Sequence, residues 1–509
     1  MRSIPEQLKL DTPLLEIVGN IDYRHFQAEL DLMDELCRQS GIDEEVAVFL
    51  IGRAQRFHDA SRVAKGLLPR PLKGKVKRRL AQNGRTLFRA ALLRKHTGES
   101  LRGFCRSVAD SPLRQQFCRI TRFVEAKIFS KSVLGDFENH LPADFLKRVH
   151  AKLLLAACGE IAPKTKVNSL GFGTPISTAH CYADTTCVQA NIHYPVDWLL
   201  LRDATRTTMK AVDLIRRAGL RHRMPCEPKG FISQVNGLCM QMAQCRRKKD
   251  SRKNRKKILR LMKHMLKRIA GHAERHAKLF EEYWPETEYS EWEAKAILDR
   301  IRNILHQLPA AIFQAHERII GGRRVPNAQK ILSLYEDCLH VIVRGKAGGE
   351  TEFGNTLLLV EQSDGLIVDY KLLPDKSPGD PTLLAESVDV IESILPEGIQ
   401  SMATDRGFDS PDVRQMLESK KIFNAVCPRS VPAYIERSED PQFRSHQKRR
   451  AQTEARIAIL NGFSGTPQLQ KSFAHREIHM GLSVLSHNLR KLAKLRLAQQ
   501  VRPPGRLAA

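Results

Sequence analysis

Three acidic residues stand in segments whose predicted structures would let them act together. Asp184 lies in the β-branched run CYADTTCVQA, which predicts a strand, and Asp405 ends the short apolar segment of SMATDRGFD. Glu454 lies later, in AQTEARIAIL, which predicts a helix. Two strand aspartates followed by a helix glutamate are the carboxylate set that a two-metal phosphoryl-transfer site needs.

The chemistry of such a set follows from what breaking a phosphodiester requires. Water must be activated as a nucleophile and the leaving oxygen stabilised, and two divalent ions about 3.5–4 Å apart do both. Mg²⁺, or Mn²⁺, is bound through a few carboxylates plus substrate phosphate. We expect Asp184 to bridge two ions, Asp405 to hold one and Glu454 the other. The same ions could activate a 3′-hydroxyl, so hydrolysis and strand transfer could share one site.

Each acidic residue also has an ordinary structural explanation. An aspartate near a strand end is often a turn or cap residue, and Glu454 could simply pair with Arg450, one helical turn earlier. Asp409 could replace Asp405 or cap the helix that Ser410-Pro411 begins. Two further acids near the predicted sheet could offer carboxylates, namely Glu336 and Asp337.

The charge balance favours a polyanionic partner. The chain has 509 residues, with 83 Lys and Arg against 56 Asp and Glu, and a formal net charge of +27. The alternative is a basic protein without a polyanionic partner, whose positive charge reflects only the general composition of its host's proteins. No stretch reaches the roughly 18–20 apolar residues of a membrane span, and the start lacks a signal-peptide pattern. We therefore expect a cytoplasmic protein without membrane contact.

The 11 cysteines form no C-x-x-C pair. An odd number without metal-ligand spacing indicates a reducing compartment, mostly buried free thiols and no structural zinc. His272 with His276, and His475 with His479, have helical spacing but lack a third ligand, so helix packing or surface exposure is favoured over zinc.

The order of predicted elements indicates several regions. Residues 1–150 read as short helices that could bind DNA or serve a structural or dimerising role. Residues 151–212 and 326–496 read as strand, helical insert, two strands, helix, strand, helix, strand, helix. That order predicts an α/β ribonuclease-H-like core, interrupted after its first strand by a helical insertion at 213–325. Residues 497–509 read as a disordered tail.

The insertion carries the densest positive charge in the chain. The run from Arg246 to Arg268 contains a single acidic residue, Asp250. Such a run is often only a solvated helix face, but between two candidate catalytic aspartates it favours sequence-independent phosphate contacts. The candidate DNA-binding residues here are Arg246, Arg247, Lys248, Lys249, Arg252, Lys253, Arg255, Lys256 and Lys257. Trp284 and Trp292 could stack on a base, although hydrophobic packing is favoured for both.

Three blocks in this order resemble those of DDE-class bacterial insertion-sequence transposases. YADTTCVQANIHYPVDWLLLRD is similar to their first-aspartate segment, TDRGFDSP to their second-aspartate block, and RRAQTEARIAIL to their glutamate helix. The resemblance implies a ribonuclease-H-like core with Asp184, Asp405 and Glu454 as catalytic metal ligands. It also implies binding of the element's own terminal repeats and of target DNA, association with the nucleoid, and at least a dimer on DNA.

The last helix departs from the family's pattern of tyrosine, arginine, glutamate and lysine. Arg450 and Glu454 fit it and imply an arginine that holds a phosphate or orients the glutamate. The tyrosine position is Gln447 and the lysine position is Asn461, and the spacing predicts that Arg450, Glu454 and Asn461 share one helical face. Two other functions stay open: a DNA-binding regulator or degenerate transposase without catalysis, and a structure-selective nuclease of the same fold.

Overall fold

The computed structural model describes residues 14, 16–120, 125–245, 250–336, 338–346, 349–395, 397–463, 470 and 472–501. The chain divides into two compact units. Unit 1 comprises Met1–Val188, Thr356–Leu373 and Ser377–Ala509, and unit 2 comprises Gln189–Asn355 and Pro374–Lys376.

Helices make up most of the described chain. The α-helices are α1 (Ile21–Gln39), α2 (Ile42–Val63), α3 (Gly74–Thr97), α4 (Leu101–Asp110), α5 (Pro112–Phe117), α6 (Lys131–Asn139), α7 (Ala143–Cys158), α8 (Asp197–Arg217), α9 (Pro228–Gln244), α10 (Ser251–Tyr283), α11 (Glu291–His316), α12 (Asp380–Ile394), α13 (Pro411–Ser419), α14 (Val431–Arg437), α15 (Pro441–Phe463) and α16 (Phe473–Val501).

A mixed sheet of six strands accompanies these helices. The strands are β1 (His180–Gln189), β2 (His340–Lys346), β3 (Gly349–Gln362), β4 (Ile367–Leu372), β5 (Ser401–Ala403) and β6 (Phe423–Asn424). The order is β2-β3-β1-β5-β6, and β4 also pairs with β3. Strands β1, β5 and β6 run parallel, whereas β2 and β4 run antiparallel to β3. The predicted combination of an α/β core with helical regions is therefore confirmed.

Alternating residues of β1 face two different helical layers. Cys181 and Ala183 pack with Leu384 of α12 and Leu417 of α13 in one hydrophobic cluster. Tyr182 belongs to another cluster, on the side of the sheet that α15 covers. Since side chains along a strand alternate between faces, Asp184 lies on the face of Tyr182.

The N-terminal helices share one core with α16, so the predicted region 1–150 is not a separate domain. Phe88 of α3 and Phe145 of α7 belong to the same buried cluster as Leu485, Leu489 and Leu492 of α16. These contacts join residues that are hundreds of positions apart in the chain, and no local sequence pattern indicates them.

The predicted disordered tail begins too early. Helix α16 continues to Val501, and Leu497 packs against the N-terminal core. The Gln499 side chain accepts a hydrogen bond from the Gly173 backbone N–H at 3.1 Å. These contacts stabilise the last helical turns, and residues 502–509 lie outside the described part.

Unit 2 is a helical body with a β-hairpin of β2 and the first half of β3. Helix α8 packs into one core with α9, α10 and α11 through Leu201, Leu259 and Ile301. The predicted boundary at 213 falls inside α8, because that helix supplies part of this core, and the unit begins at Gln189 instead. No helix among the described residues has the length and apolar character to span a membrane.

The side chains singled out in the sequence have varied surroundings. His276 is buried, and its two ring nitrogens contact the His272 carbonyl and the His222 N–H. Trp284 packs partly into the unit 2 core, as expected, but Trp292 is 78% exposed, so the packing explanation is wrong for it. All 11 cysteines are free thiols, most of them buried, as predicted.

Candidate active site

The first two predicted aspartates occupy equivalent positions on neighbouring parallel strands. Tyr182 of β1 and Ala403 of β5 are paired in the sheet. Asp184 and Asp405 each follow two residues later. Parallel neighbours lie about 4.8 Å apart, so this register places Asp184, in the middle of β1, beside Asp405, which follows the end of β5. The Asp405 carboxylate also accepts a hydrogen bond from the Gly407 N–H at 2.9 Å, which fixes the turn.

Helix α15 is held over this end of the sheet by polar and apolar contacts. Phe443 packs against Tyr182 and Ala403. His446 hydrogen-bonds the Tyr182 hydroxyl at 3.1 Å. The Gln447 amide donates to the Thr404 carbonyl at 3.1 Å and to the Ala425 carbonyl at 2.5 Å. Gln447, which stands where the resembled family has tyrosine, therefore joins α15 to the residue preceding Asp405.

A buried carboxylate at the end of β3 fixes the same helix further along. Glu361 has no exposed surface. Its oxygens accept hydrogen bonds from Arg449 at 3.0 Å, Thr453 at 2.9 Å and Arg456 at 2.7 Å. The Arg449 guanidinium also lies over the Tyr182 ring at 4.7 Å. These contacts set the rotation of α15 and hence the direction of Glu454.

The charges of the other two predicted carboxylates both act on Asp184. Burial, followed by the negative charge of Asp405 and more weakly that of Glu454, raises the pKa of Asp184 to about 6. A hydrogen bond from the Thr185 N–H and the Arg450 charge act in the opposite direction. We call Asp184, Asp405 and Glu454 the carboxylate cluster. A bound cation would neutralise the excess negative charge of this cluster.

The donor atoms suit a hard divalent cation, although the cluster is open. Glu454 is exposed and makes no hydrogen bond or ion pair with the described residues, which rules out the simple pairing with Arg450. Asp184 and Asp405 each use one oxygen for a backbone N–H and leave the other to a ligand. No three His, Cys, Asp or Glu side chains of the described chain are already arranged around a common metal position. Glu454 would have to approach the two aspartates to complete a site.

The alternative acidic residues have other roles or places. Asp409 is buried and accepts two hydrogen bonds from Arg414, at 2.8 and 3.1 Å, and one from the Arg429 N–H. Ser410, and not Asp409, caps α13. Glu336 belongs to unit 2, and Asp337 lies outside the described residues.

A pocket of about 410 Å³ adjoins the cluster on the α15 side. It is lined by four cationic side chains, together with polar and aromatic groups from α14 and α15. We call the four the cationic pocket: Arg406, Arg444, Lys448 and Arg450. None of them forms an ion pair with another described residue, and Arg450 bonds only to the Gln447 side-chain oxygen at 3.3 Å. Unpaired guanidinium and ammonium groups are the usual partners of phosphate.

The predicted DNA-binding run is described only in part. Arg246, Arg247, Lys248 and Lys249 lie outside the described residues. The remaining members, Arg252, Lys253, Arg255, Lys256 and Lys257, occupy the first two turns of α10 in unit 2. The Arg255 guanidinium lies over the Trp198 ring, 5.2 Å from its centroid, so its positive charge is partly engaged in a cation–π contact.

Sequence reasoning missed the residues that hold α15 and line its pocket. Arg449, Thr453 and Arg456 recur at intervals of four and three, which marks a second helix face beside that of Arg450 and Glu454. Glu361 directly follows the apolar run LLLV, so a buried carboxylate is expected there. A buried carboxylate requires a cationic or hydrogen-bonding partner, and this requirement was the available signal. The Asn461 side chain lies outside the described part.

Comparisons with protein-family models, with curated proteins and with solved structures find no match for this chain.

Proposed function

We propose that this chain is a DDE-type DNA transposase that cleaves DNA at the ends of its own insertion sequence and joins them to target DNA. The observation that carries the proposal is the carboxylate cluster. Asp184 of β1 and Asp405, which follows the parallel strand β5, lie at equivalent positions relative to the sheet register, and the charge of the glutamate on the covering helix helps to raise the pKa of Asp184.

The sheet supports the finer fold assignment within this proposal. Strand β1 lies between β3 and β5, and its neighbour β5 is parallel to it. The Ala190 N–H donates to the Phe353 carbonyl, while Gln362 reaches the Ser177 carbonyl, so β1 and β3 run in opposite directions. A central strand with an antiparallel meander on one side and parallel strands on the other fits a ribonuclease-H-like core.

The residues have distinct parts in the proposed reaction. Asp184, Asp405 and Glu454 would hold two Mg²⁺ or Mn²⁺ ions, which activate the nucleophile and stabilise the leaving oxygen when bound. The cationic pocket neutralises the phosphates beside the scissile bond, and Arg450 lies between that pocket and the cluster. Glu361 and Gln447 act as positioning residues that hold α15 in place.

The proposed partners follow from the reaction. Double-stranded DNA supplies both the element end and the target, and joining two ends requires at least two copies of the chain on the DNA. The net charge of +27 fits a nucleoid-associated protein with a polyanionic substrate.

Strand cleavage of end-labelled DNA tests the proposal. The duplex would span one inverted repeat flanking the gene and its neighbouring DNA, and wild type would be compared with Asp405→Ala in Mg²⁺, Mn²⁺ and EDTA. We expect metal-dependent nicking at the repeat end that Asp405→Ala abolishes while binding persists. Asp412→Asn, which removes an exposed carboxylate of α13, is the matched control.

Three results would count against the proposal. Equal cleavage by Asp405→Ala and wild type would place the chemistry elsewhere. Binding without cleavage by the wild type would favour a regulator or a degenerate copy. Cleavage of branched DNA without preference for the repeat would favour a structure-selective nuclease.

A further inference from the structure

A second positively charged depression lies between α15 and α16. It has a volume of about 260 Å³. We call it the basic groove, and it is lined by Arg456, Ile459, His487, Arg490, Lys491 and Lys494. Four of these six residues are cationic, and no carboxylate lines the groove. We propose that the basic groove binds the phosphodiester backbone of the DNA on which the carboxylate cluster acts.

Neighbouring carboxylates balance the positive charges of the groove only in part. Glu361 pairs with Arg456 at 2.7 Å. Glu29 of α1 pairs with Arg490 at 2.9 Å and lies 3.9 Å from Lys494. Glu361, Glu29 and the more distant Asp364 therefore act on four cationic side chains, which leaves a net positive charge in the groove.

Lys491 contributes most to that imbalance. Burial and then the neighbouring Arg456 charge lower its pKa. The ammonium group forms no ion pair or hydrogen bond with the described residues, although the more distant Asp364 and Glu361 act to keep it charged. A half-buried, repelled cation costs folding free energy that a bound anion would recover.

The other lining residues define the chemistry of the ligand. The His487 Nε2–H donates to the Gly365 carbonyl, and burial lowers the pKa of His487 to about 4, so its ring is neutral. Glu361 fixes the Arg456 guanidinium as a directed donor, while the two lysines act as adaptable point charges. Ile459 adds an exposed apolar contact. This combination suits phosphate groups linked by sugars.

The position of the groove connects it to the proposed site. Arg456 and Ile459 lie six and nine residues beyond Arg450 on α15, which is about 9–14 Å along the helix axis. Arg456 and Ile459 lie on the opposite side of α15 from Glu454. The outer face between these two sides carries exposed small residues, Ala451, Ala455 and Ala458, which permit close approach of a DNA backbone. A strand crossing α15 would reach the groove three or four nucleotides from the reacting phosphate.

The inference rests on the proposed function for the identity of the ligand, and salt-dependent binding tests it. The variant is Lys491→Ala with Lys494→Ala, which leaves the Glu361 and Arg490 ion pairs in place. The matched control removes two exposed lysines elsewhere in unit 1, as Lys131→Ala with Lys164→Ala. The dissociation constant for a fluorescent 30-base-pair duplex would be measured in EDTA across a range of KCl concentrations.

We expect the slope of log affinity against log salt to fall in magnitude by about two for the groove variant, with affinity at 0.1 M salt reduced about tenfold or more. The control should keep the wild-type slope. Equal slopes for wild type and groove variant would overturn the inference. Cleavage measured on the same preparations tests the proposed function separately, because a reduced slope without wild-type cleavage would support the groove alone. Absence of wild-type DNA binding would overturn both.

Discussion

Asp184 of β1 and Asp405, just beyond the end of the adjacent parallel strand β5, each lie two residues past the paired Tyr182 and Ala403. The negative charge of Asp405 reaches Asp184 strongly enough to raise its pKa. A fold gains no stability from two carboxylates placed side by side. The arrangement is therefore best explained by a ligand that both carboxylates bind, and several measurable consequences follow.

Neutralising Asp184 should stabilise the metal-free protein at neutral pH. Folding raises the pKa of this carboxyl from 3.8 to about 6, so the folded state binds more protons between those values and loses stability as pH rises through them. Asp184→Asn removes this loss of stability because the amide does not ionise, and its side-chain oxygen can still accept the hydrogen bond from the Thr185 N–H. We expect a gain of about 1–3 kcal/mol in the free energy of unfolding at pH 7.5.

Urea unfolding at two pH values checks this. At pH 5 the gain should be about half as large, because Asp184 is then mostly protonated in the folded state and mostly ionised in the unfolded state. Asp412→Asn should show no such pH-dependent gain. Destabilisation by Asp184→Asn at pH 7.5 would contradict the predicted charge repulsion.

Metal binding should compete with protons at the same carboxyl. Because the pKa of Asp184 is about 6, the metal-free cluster is substantially protonated below that pH. We expect the apparent Mn²⁺ affinity to fall as pH drops through 6, and the acid limb of DNA cleavage to move to lower pH when Mn²⁺ concentration is raised. Cleavage rates across pH 5–8 at two Mn²⁺ concentrations measure this. An acid limb that does not move with Mn²⁺ would argue against metal binding by Asp184.

Glu361 should be important for stability because it holds two arginines of α15. Glu361→Gln leaves Arg449 and Arg456 without their carboxylate, which should cost about 3 kcal/mol in the free energy of unfolding. The control is Glu386→Gln, which breaks an exposed pair with Lys371 and should cost less than about 1 kcal/mol. Denaturant unfolding of the two variants compares them, and similar losses would refute the anchoring role.

Gln447 should affect cleavage more than DNA binding. Gln447→Ala removes the bonds to the Thr404 and Ala425 carbonyls, costing about 1–3 kcal/mol and loosening α15 beside Asp405. We expect reduced cleavage at saturating DNA with a nearly unchanged dissociation constant for the duplex. A weakened dissociation constant with unchanged cleavage at saturation would instead make Gln447 a DNA contact.

Local signals in the sequence predicted much of the element order. The helix predicted to begin at Ser410-Pro411 is α13, which starts at Pro411 and has Ser410 as its cap. The last strand of the predicted order, β6, has only two residues in the structure, although backbone hydrogen bonds from Ala425 and Cys427 continue its pairing with the β5 segment. Strand length there depends on the neighbouring strand, which local periodicity does not report.

Long-range packing limited the remaining predictions. The N-terminal helices are completed by α16, and α8 is completed by α10 and α11, so both domain boundaries depend on contacts distant in sequence. For the site, residue type and order were sufficient to select three carboxylates. They were not sufficient to find Glu361, whose role exists only because the fold brings Arg449 and Arg456 to it.

Mn²⁺ binding to the carboxylate cluster is the most direct test of the account. Isothermal titration at pH 7.5 would compare wild type with Asp184→Asn, Asp405→Asn and Glu454→Gln, and with the control Asp412→Asn. We predict that each cluster variant weakens Mn²⁺ binding at least tenfold while the control binds as wild type does. Wild-type affinity in all three cluster variants would contradict a metal site built from these residues.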